Sequence, residues 1–597
     1  MKNNTKKIAL LLFLLSFNAL FAQLSLRKIS LKEQIDNSIL IVEGEVFSQS
    51  SFWSNNLIYT SNTIKVYKVF KGKLESKNVD VITLGGTVGL EALIVSSSLK
   101  LKKGNVGVFM LESSQVITKS VTKSLNQKFK TYSALQGFYR YNLYDDLVVN
   151  PFNKTSGISS NFYNELMYIT KEKYVEVSAY NTIKFKKASS QSKILSPVIT
   201  SFSPTTATAG TKTEITINGS GFGTSGEVGF SDANEGGLAF FVDALDTQVV
   251  SWTDTQIIVE VPSTAGTGKI RVKDAASVKI ESTTDLTISY SESNVEYDPG
   301  SGIQAYPVQH YEQSFITGGY VWTMQTDFFN DTEKPGARVA FERALESWRC
   351  NTKVNWTIKN NGTATDVVSS DGTNVIRFDN GNELDSGVLG VCYSWYSAPS
   401  CSLPNPQWYV SGLDIVFDDA ISWYFGTGTP SGSQYDFESV ALHELGHGHQ
   451  LGHVINSNAV MHYSMGISEY NRVLSNDDIE AGVNVQTRST TNPICNLELM
   501  TDYDTSSCSL SVEEGEFEKA IILYPNPTRE ELFIKNKSFI NLEKAVIYDI
   551  SGRQIVECDI SDSSQTKIIS LSGFSKGIYF VNIYSESLFI TKKIILE

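Results

Sequence analysis

Hydrophobic and polar positions alternate with a period of two along most of the chain, and a period near 3.6 surfaces in only a few places. Ile39 to Val46, Thr63 to Val69, Val79 to Leu84 and Val106 to Leu111 read as strands separated by Gly, Asn and Ser. They predict a β-rich module over 23–190, a sheet or small barrel, with no cluster of titratable residues that suggests catalysis. Ile199, Phe202, Ile215, Ile217, Phe222, Ile257 to Val261 and Ile270 to Val272 alternate between Gly and Pro corners, which predicts a β-sandwich over 197–290. Leu523 to Thr528, Ile547 to Arg553, Gly577 to Val581 and Lys592 to Leu596 predict a second small all-β module over 521–597, reached through a linker at 496–520. Between the β modules, Phe341, Ala344, Leu345 and Trp348 recur at helical spacing. The chain is therefore multidomain, with all-β modules on both sides of residues 300–495.

The first residues add an address. Lys2, Lys6 and Lys7 precede the apolar stretch Ile8 to Phe17, and Ala22 follows. This is the layout of an export signal over 1–22. The apolar stretch is too short to cross ~30 Å of hydrocarbon, so no transmembrane anchor is expected. The 597 residues suggest about four units at ~150 residues each. A net charge of −14 argues against a nucleic-acid partner, because phosphate neutralisation needs a basic face. A monomer is expected. Six cysteines fit an oxidising compartment. Cys392 with Cys401 and Cys495 with Cys508 form the shortest local pairs, and Cys558 is expected to stay free.

Five of the six histidines fall within a short stretch: His443, His447, His449, His453 and His462. On a helix His443 and His447 share a face and can turn toward one metal ion. Glu444 sits ~100° around the helix from His443, beside the metal rather than on it, which suits a general base. If the chain turns away between Gly448 and Gly452, His453 closes a three-histidine site with a position left for water. Imidazole donors favour Zn2+ over cations that demand an oxygen cage. A structural Ca2+ is left open. His449, on another face, is the expected bystander.

At these residues the chain resembles a matrixin-like metzincin zinc metalloprotease over about 305–490, which implies an α+β fold for the domain over 300–495. Ala459-Val460-Met461 follows His453 as that family's Met-turn does, which implies that Met461 lies beneath the metal. Tyr463, two residues on, matches an extra ligand or oxyanion donor of some members. One departure stands out: where the family has glycine, three residues after the second histidine, this chain has Gln450. Should His453 fail to reach the metal, Glu469 is the carboxylate alternative. Ser475 and Asp478 read as a helix cap. Residues 197–290 resemble an IPT/TIG immunoglobulin-like domain. The last 75 residues or so resemble the sorting domain of the type IX secretion system of Bacteroidetes, which implies a secreted or cell-surface protein handled by that machinery. Together the resemblances imply a secreted zinc endopeptidase acting on a protein or peptide substrate, laid along an edge strand around Val388 to Tyr396. The competing readings are a non-catalytic surface adhesin with a structural zinc helix, and a zinc amidase. The 23–190 module is either a pro-domain or a binding domain.

Overall fold

The computed structural model describes residues 26–116, 126–182, 197–508 without 238, 276–277, 382 and 464–465, and 520–597 without 537–541, 562–565 and 586–588. The expected export signal and residues 509–519 of the expected linker lie outside the described residues. Among the described residues no helix is long and apolar enough to cross a membrane.

Two compact units emerge. The smaller holds residues 504–597 with Val473–Asn476. Its three-stranded and four-stranded sheets enclose a core that includes Leu532, Ile534, Ile547, Val581, Ile583 and Ile594. Cys558 is free there, as the sequence led us to expect.

In the larger unit, a short helix (Leu31–Asn37) leads into β1 (Leu40–Ser54), β2 (Leu57–Lys71), β3 (Asn78–Leu84), β4 (Gly86–Val88), β5 (Glu91–Val95), β6 (Val106–Ser113) and β7 (Lys128–Thr131). Pairing runs β1 to β2 to β3 to β7 to β6 and back to β1, so the sheet closes on itself. Within that ring every strand has two neighbours, so none of the five leaves a free edge. Hairpin β4–β5 does not join this ring; it pairs into a different sheet. Residues 198–291 fold as two four-stranded sheets and one short strand pair. Their shared core takes Ile215, Ile217, Phe222, Val228, Phe230, Ile257, Val259, Ile270 and Val272, the inward positions of the alternation.

The α+β region is built on β8 (Tyr320–Met324), β9 (Trp356–Ile358), β10 (Asn374–Phe378), β11 (Gly390–Ser397) and β12 (Trp408–Phe417). The sheet order is β9-β8-β10-β12-β11, and β11 alone among these runs antiparallel to its neighbour. Helix α1 (Ala337–Thr352) buries Ala340, Phe341, Ala344, Leu345 and Trp348, the stripe that its spacing predicts. Helix α2 (Phe437–Gly448) packs between α1 and the sheet, and α3 (Asn476–Thr491) begins directly after Ser475.

The cysteine pairing corrects the sequence reading. Cys401 bonds to Cys495 across 94 residues, so neither local pair forms, and Cys392 is a buried free thiol. Sequence proximity is a poor guide here, because the fold brings the loop after β11 beside the segment after α3.

Candidate metal centre

Asp436 starts α2: its carboxylate accepts the Ser439 N–H at 2.9 Å and is paired with Arg472, whose Nε donates at 3.0 Å. The carboxylate answers both the unsatisfied N–H groups and the positive end of a helix start, and Arg472 holds it in place. The helix is buried on nearly every side, with His443 and Glu444 fully enclosed. Gly446 is required for close packing. A Cβ there would collide with the sulfur of Met461, which lies against this turn of the helix. Met461 is itself fixed from α3, where the Asp478 carboxylate accepts the N–H groups of Val460 and Met461 at 2.8 and 3.2 Å. Asp478 thus acts on this turn of chain.

Gln450 resolves the departure from the glycine pattern. It adopts φ +70°, the left-handed conformation that glycine takes readily, at a cost of about 1 kcal/mol for a side chain. Its N–H donates to His447 C=O at 2.9 Å, and Leu451 N–H donates to Gly446 C=O at 3.0 Å, which ends the helix and reverses the chain. The buried carboxamide offsets the strain: Oε1 accepts the Tyr396 hydroxyl at 2.6 Å and Nε2 donates to Gly448 C=O at 2.7 Å.

The reversal delivers His453 to His443 and His447. His443 Nδ1 donates to Val460 C=O at 2.8 Å, and His447 Nδ1 donates to Leu451 C=O at 2.9 Å. His453 Nδ1 donates to Asn234 Oδ1 at 2.8 Å, from a loop of the β-sandwich. Each acceptor is an oxygen that can only receive, so all three Nδ1 atoms carry the proton and all three Nε2 atoms present lone pairs. Those lone pairs converge: His443 Nε2 lies 3.0 Å from His447 Nε2 and 3.3 Å from His453 Nε2. Ligands held about 2.0–2.1 Å from a tetrahedral zinc ion stand about 3.3 Å apart, so the donor set fits such an ion. Burial lowers the basicity of all three rings, and neighbouring imidazoles lower His443 and His453 further. Burial brings His447 down to about 4, so the rings stay neutral as ligands require.

Glu444 follows His443 on the helix. Burial pushes its carboxyl up to about 8, opposed by a hydrogen bond from Ser96, whose Oγ donates to Glu444 Oε2 at 2.8 Å. Tyr463 is buried with its hydroxyl against Gly236 of the sandwich, where a Cβ would collide with it. Glu469 accepts the Gly466 N–H at 2.6 Å in its own loop and is not among the clustered ligand atoms, which belong to His443, His447 and His453. His449 is buried on another face, its Nε2 3.1 Å from Thr352 Oγ1.

Two participants had no signature in the sequence, Asn234 and Ser96. The edge of the sheet also differs from expectation. β11 is not open to an incoming peptide, because β5 pairs with it in antiparallel register from Glu91 opposite Ser397 to Val95 opposite Tyr393.

Residues 320–485 match the family model for Matrixin, residues 197–290 that for the IPT/TIG domain, and residues 522–597 that for the secretion system C-terminal sorting domain. A curated relative, Metalloendoproteinase 2-MMP of Arabidopsis thaliana, is 30% identical over 165 residues, which is 26% of this chain. The match spans 39% of that relative's length. A crystal structure of a protein of unknown function from Bacteroides thetaiotaomicron is 16% identical, with a TM-score of 0.14, and covers 19% of this chain and 29% of that one.

Proposed function

We propose that the protein is a secreted zinc-dependent endopeptidase that hydrolyses peptide bonds of extracellular proteins. The observation that carries this reading is the convergence of three Nε2 lone pairs at 3.0 and 3.3 Å, each imposed by an acceptor on the far side of its ring. His443, His447 and His453 would hold the ion. Bound there, zinc supplies a Lewis acid that makes water a nucleophile near neutral pH and polarises the scissile carbonyl. Glu444, one residue from a ligand and fully buried, takes the proton from the attacking water. Its raised affinity for a proton suits the second half of the reaction, in which the same carboxyl returns that proton to the leaving amine. Tyr463 is the proposed additional donor to the developing oxyanion, a role that requires its hydroxyl to leave Gly236. The match to a sorting domain supports export through the type IX machinery to the cell surface or medium.

The test is a comparison of zinc content and hydrolysis of an internally quenched peptide library for the full chain and two variants. Glu444→Gln is expected to keep one zinc per chain and lose at least about 1,000-fold in turnover, whereas His447→Ala loses the metal as well. Zinc retained without hydrolysis in any form, including chains with β5 disrupted, would favour the adhesin reading.

A further inference from the structure

The strand that covers the cleft comes from the amino-terminal barrel, yet it is not part of the barrel's ring. Hairpin β4–β5 extends the catalytic sheet by two strands, and β5 matches β11 over five residues. The ladder continues one residue further. Ser96 N–H donates to Cys392 C=O at 3.1 Å, and Ser96 Oγ accepts the Cys392 N–H at 3.0 Å. The same hydroxyl donates to Glu444 at 2.8 Å. Leu93 and Val95 are buried against Tyr393, Trp395 and Val391, so the strand is packed as well as hydrogen-bonded. At Ser96 and Ser97 the chain turns, and Ser98 is drawn back toward the end of β3, its N–H donating to Val95 C=O at 3.3 Å and its Oγ to Leu84 C=O at 2.6 Å.

An extended peptide added to a sheet edge uses the same backbone groups that β5 already occupies. We propose that Glu91–Ser96 is a tethered substrate mimic that keeps the centre latent, with β5 filling the peptide groove and the Ser96 hydroxyl engaging the general base. This assignment rests on the peptidase reading and adds its regulation. Because the chain turns at Ser96, no extended peptide continues past Glu444, so the mimic presents no bond in line for attack. Tethering supplies an effective concentration on the order of millimolar, which a free peptide must outcompete. The turn between the hairpin strands is exposed at Gly89, the place where a displacing partner or a protease has access. Latency here needs no cysteine, and the 23–190 module contains none.

The experiment uses the full chain and two alterations: Leu93→Asp, which puts a charge into the packed face of β5, and replacement of residues 91–95 by Gly-Ser-Gly-Ser-Gly, which leaves the barrel ring untouched. Hydrolysis of a quenched peptide is measured after zinc loading. Binding of the same peptide is measured by fluorescence anisotropy on metal-free chains that also carry Glu444→Gln. Both alterations are expected to raise hydrolysis at least tenfold and to tighten peptide binding at least tenfold. Equal binding and hydrolysis by the unaltered chain would overturn the proposal. Tighter binding without hydrolysis in any form would uphold the occupied groove and sink the peptidase reading instead.

Discussion

Asn234 fixes the outer nitrogen of His453 from 219 residues earlier in the chain. Without that acceptor the ring loses both its tautomeric preference and its aim. Asn234→Ala is therefore expected to weaken zinc binding by about 10–100-fold, and Asn234→Asp, which keeps an acceptor, to restore most of it. Competition against a chromogenic chelator measures both; equal affinities for all three chains would refute the role. His443, Glu444 and His447 were legible because a helix places near neighbours in sequence on adjacent faces. His453 was legible from spacing, although the means of reaching the site was not: Gln450 replaces the expected glycine by anchoring its carboxamide on Tyr396 and Gly448. Asn234 and Ser96 were invisible, since a loop asparagine and one serine of three in a row look like ordinary surface residues until distant contacts are known.

At the scale of elements, α1 supports α2 through one side chain. Trp348 is fully buried, its Nε1 donates to Leu442 C=O at 2.8 Å, and its ring lies against Gly446. Trp348→Ala is expected to cost about 3–5 kcal/mol, read as a fall in the urea midpoint of the zinc-free chain with an unchanged slope. The buried stripe of α1 was fully legible, because a 3.6-residue repeat reports which face is covered. Strand alternation reports a face too, but not the partner. Nothing in Glu91 to Val95 distinguishes a strand of its own barrel from one lent to another sheet. The cysteine expectations failed for the same reason: Cys401 and Cys495 are neighbours only in space.

For the whole molecule, two compact units with separate cores imply that they report differently on metal. Calorimetry of the intact chain is expected to show zinc raising the transition of the unit that contains α2, by about 4 kcal/mol of stabilisation at a thousandfold excess over Kd, while the 504–597 unit is unmoved. The effect should survive mild acid. The neutral ring is the ligand, and His447, held down to about 4 by burial, stays neutral below the usual imidazole pKa of about 6.5. Protons thus displace the ion only as pH falls toward that lower value, and a shift already abolished at pH 6 would contradict the buried site. The β modules were legible as modules, since alternation and corner residues are local signals. How the barrel and the sandwich meet the α+β region was not, because it depends on contacts between segments hundreds of residues apart.

One practical consequence follows from the shared sheet. A fragment trimmed to residues 320–485 would be the natural choice for overexpression, yet it severs the loop that steadies His453 and strips the cover from Gly390–Ser397. Such a fragment should take up metal poorly and offer a bare ladder of backbone groups to other copies of itself, a recipe for insoluble material. Boundaries that keep the barrel and the sandwich attached are the ones expected to yield soluble protein.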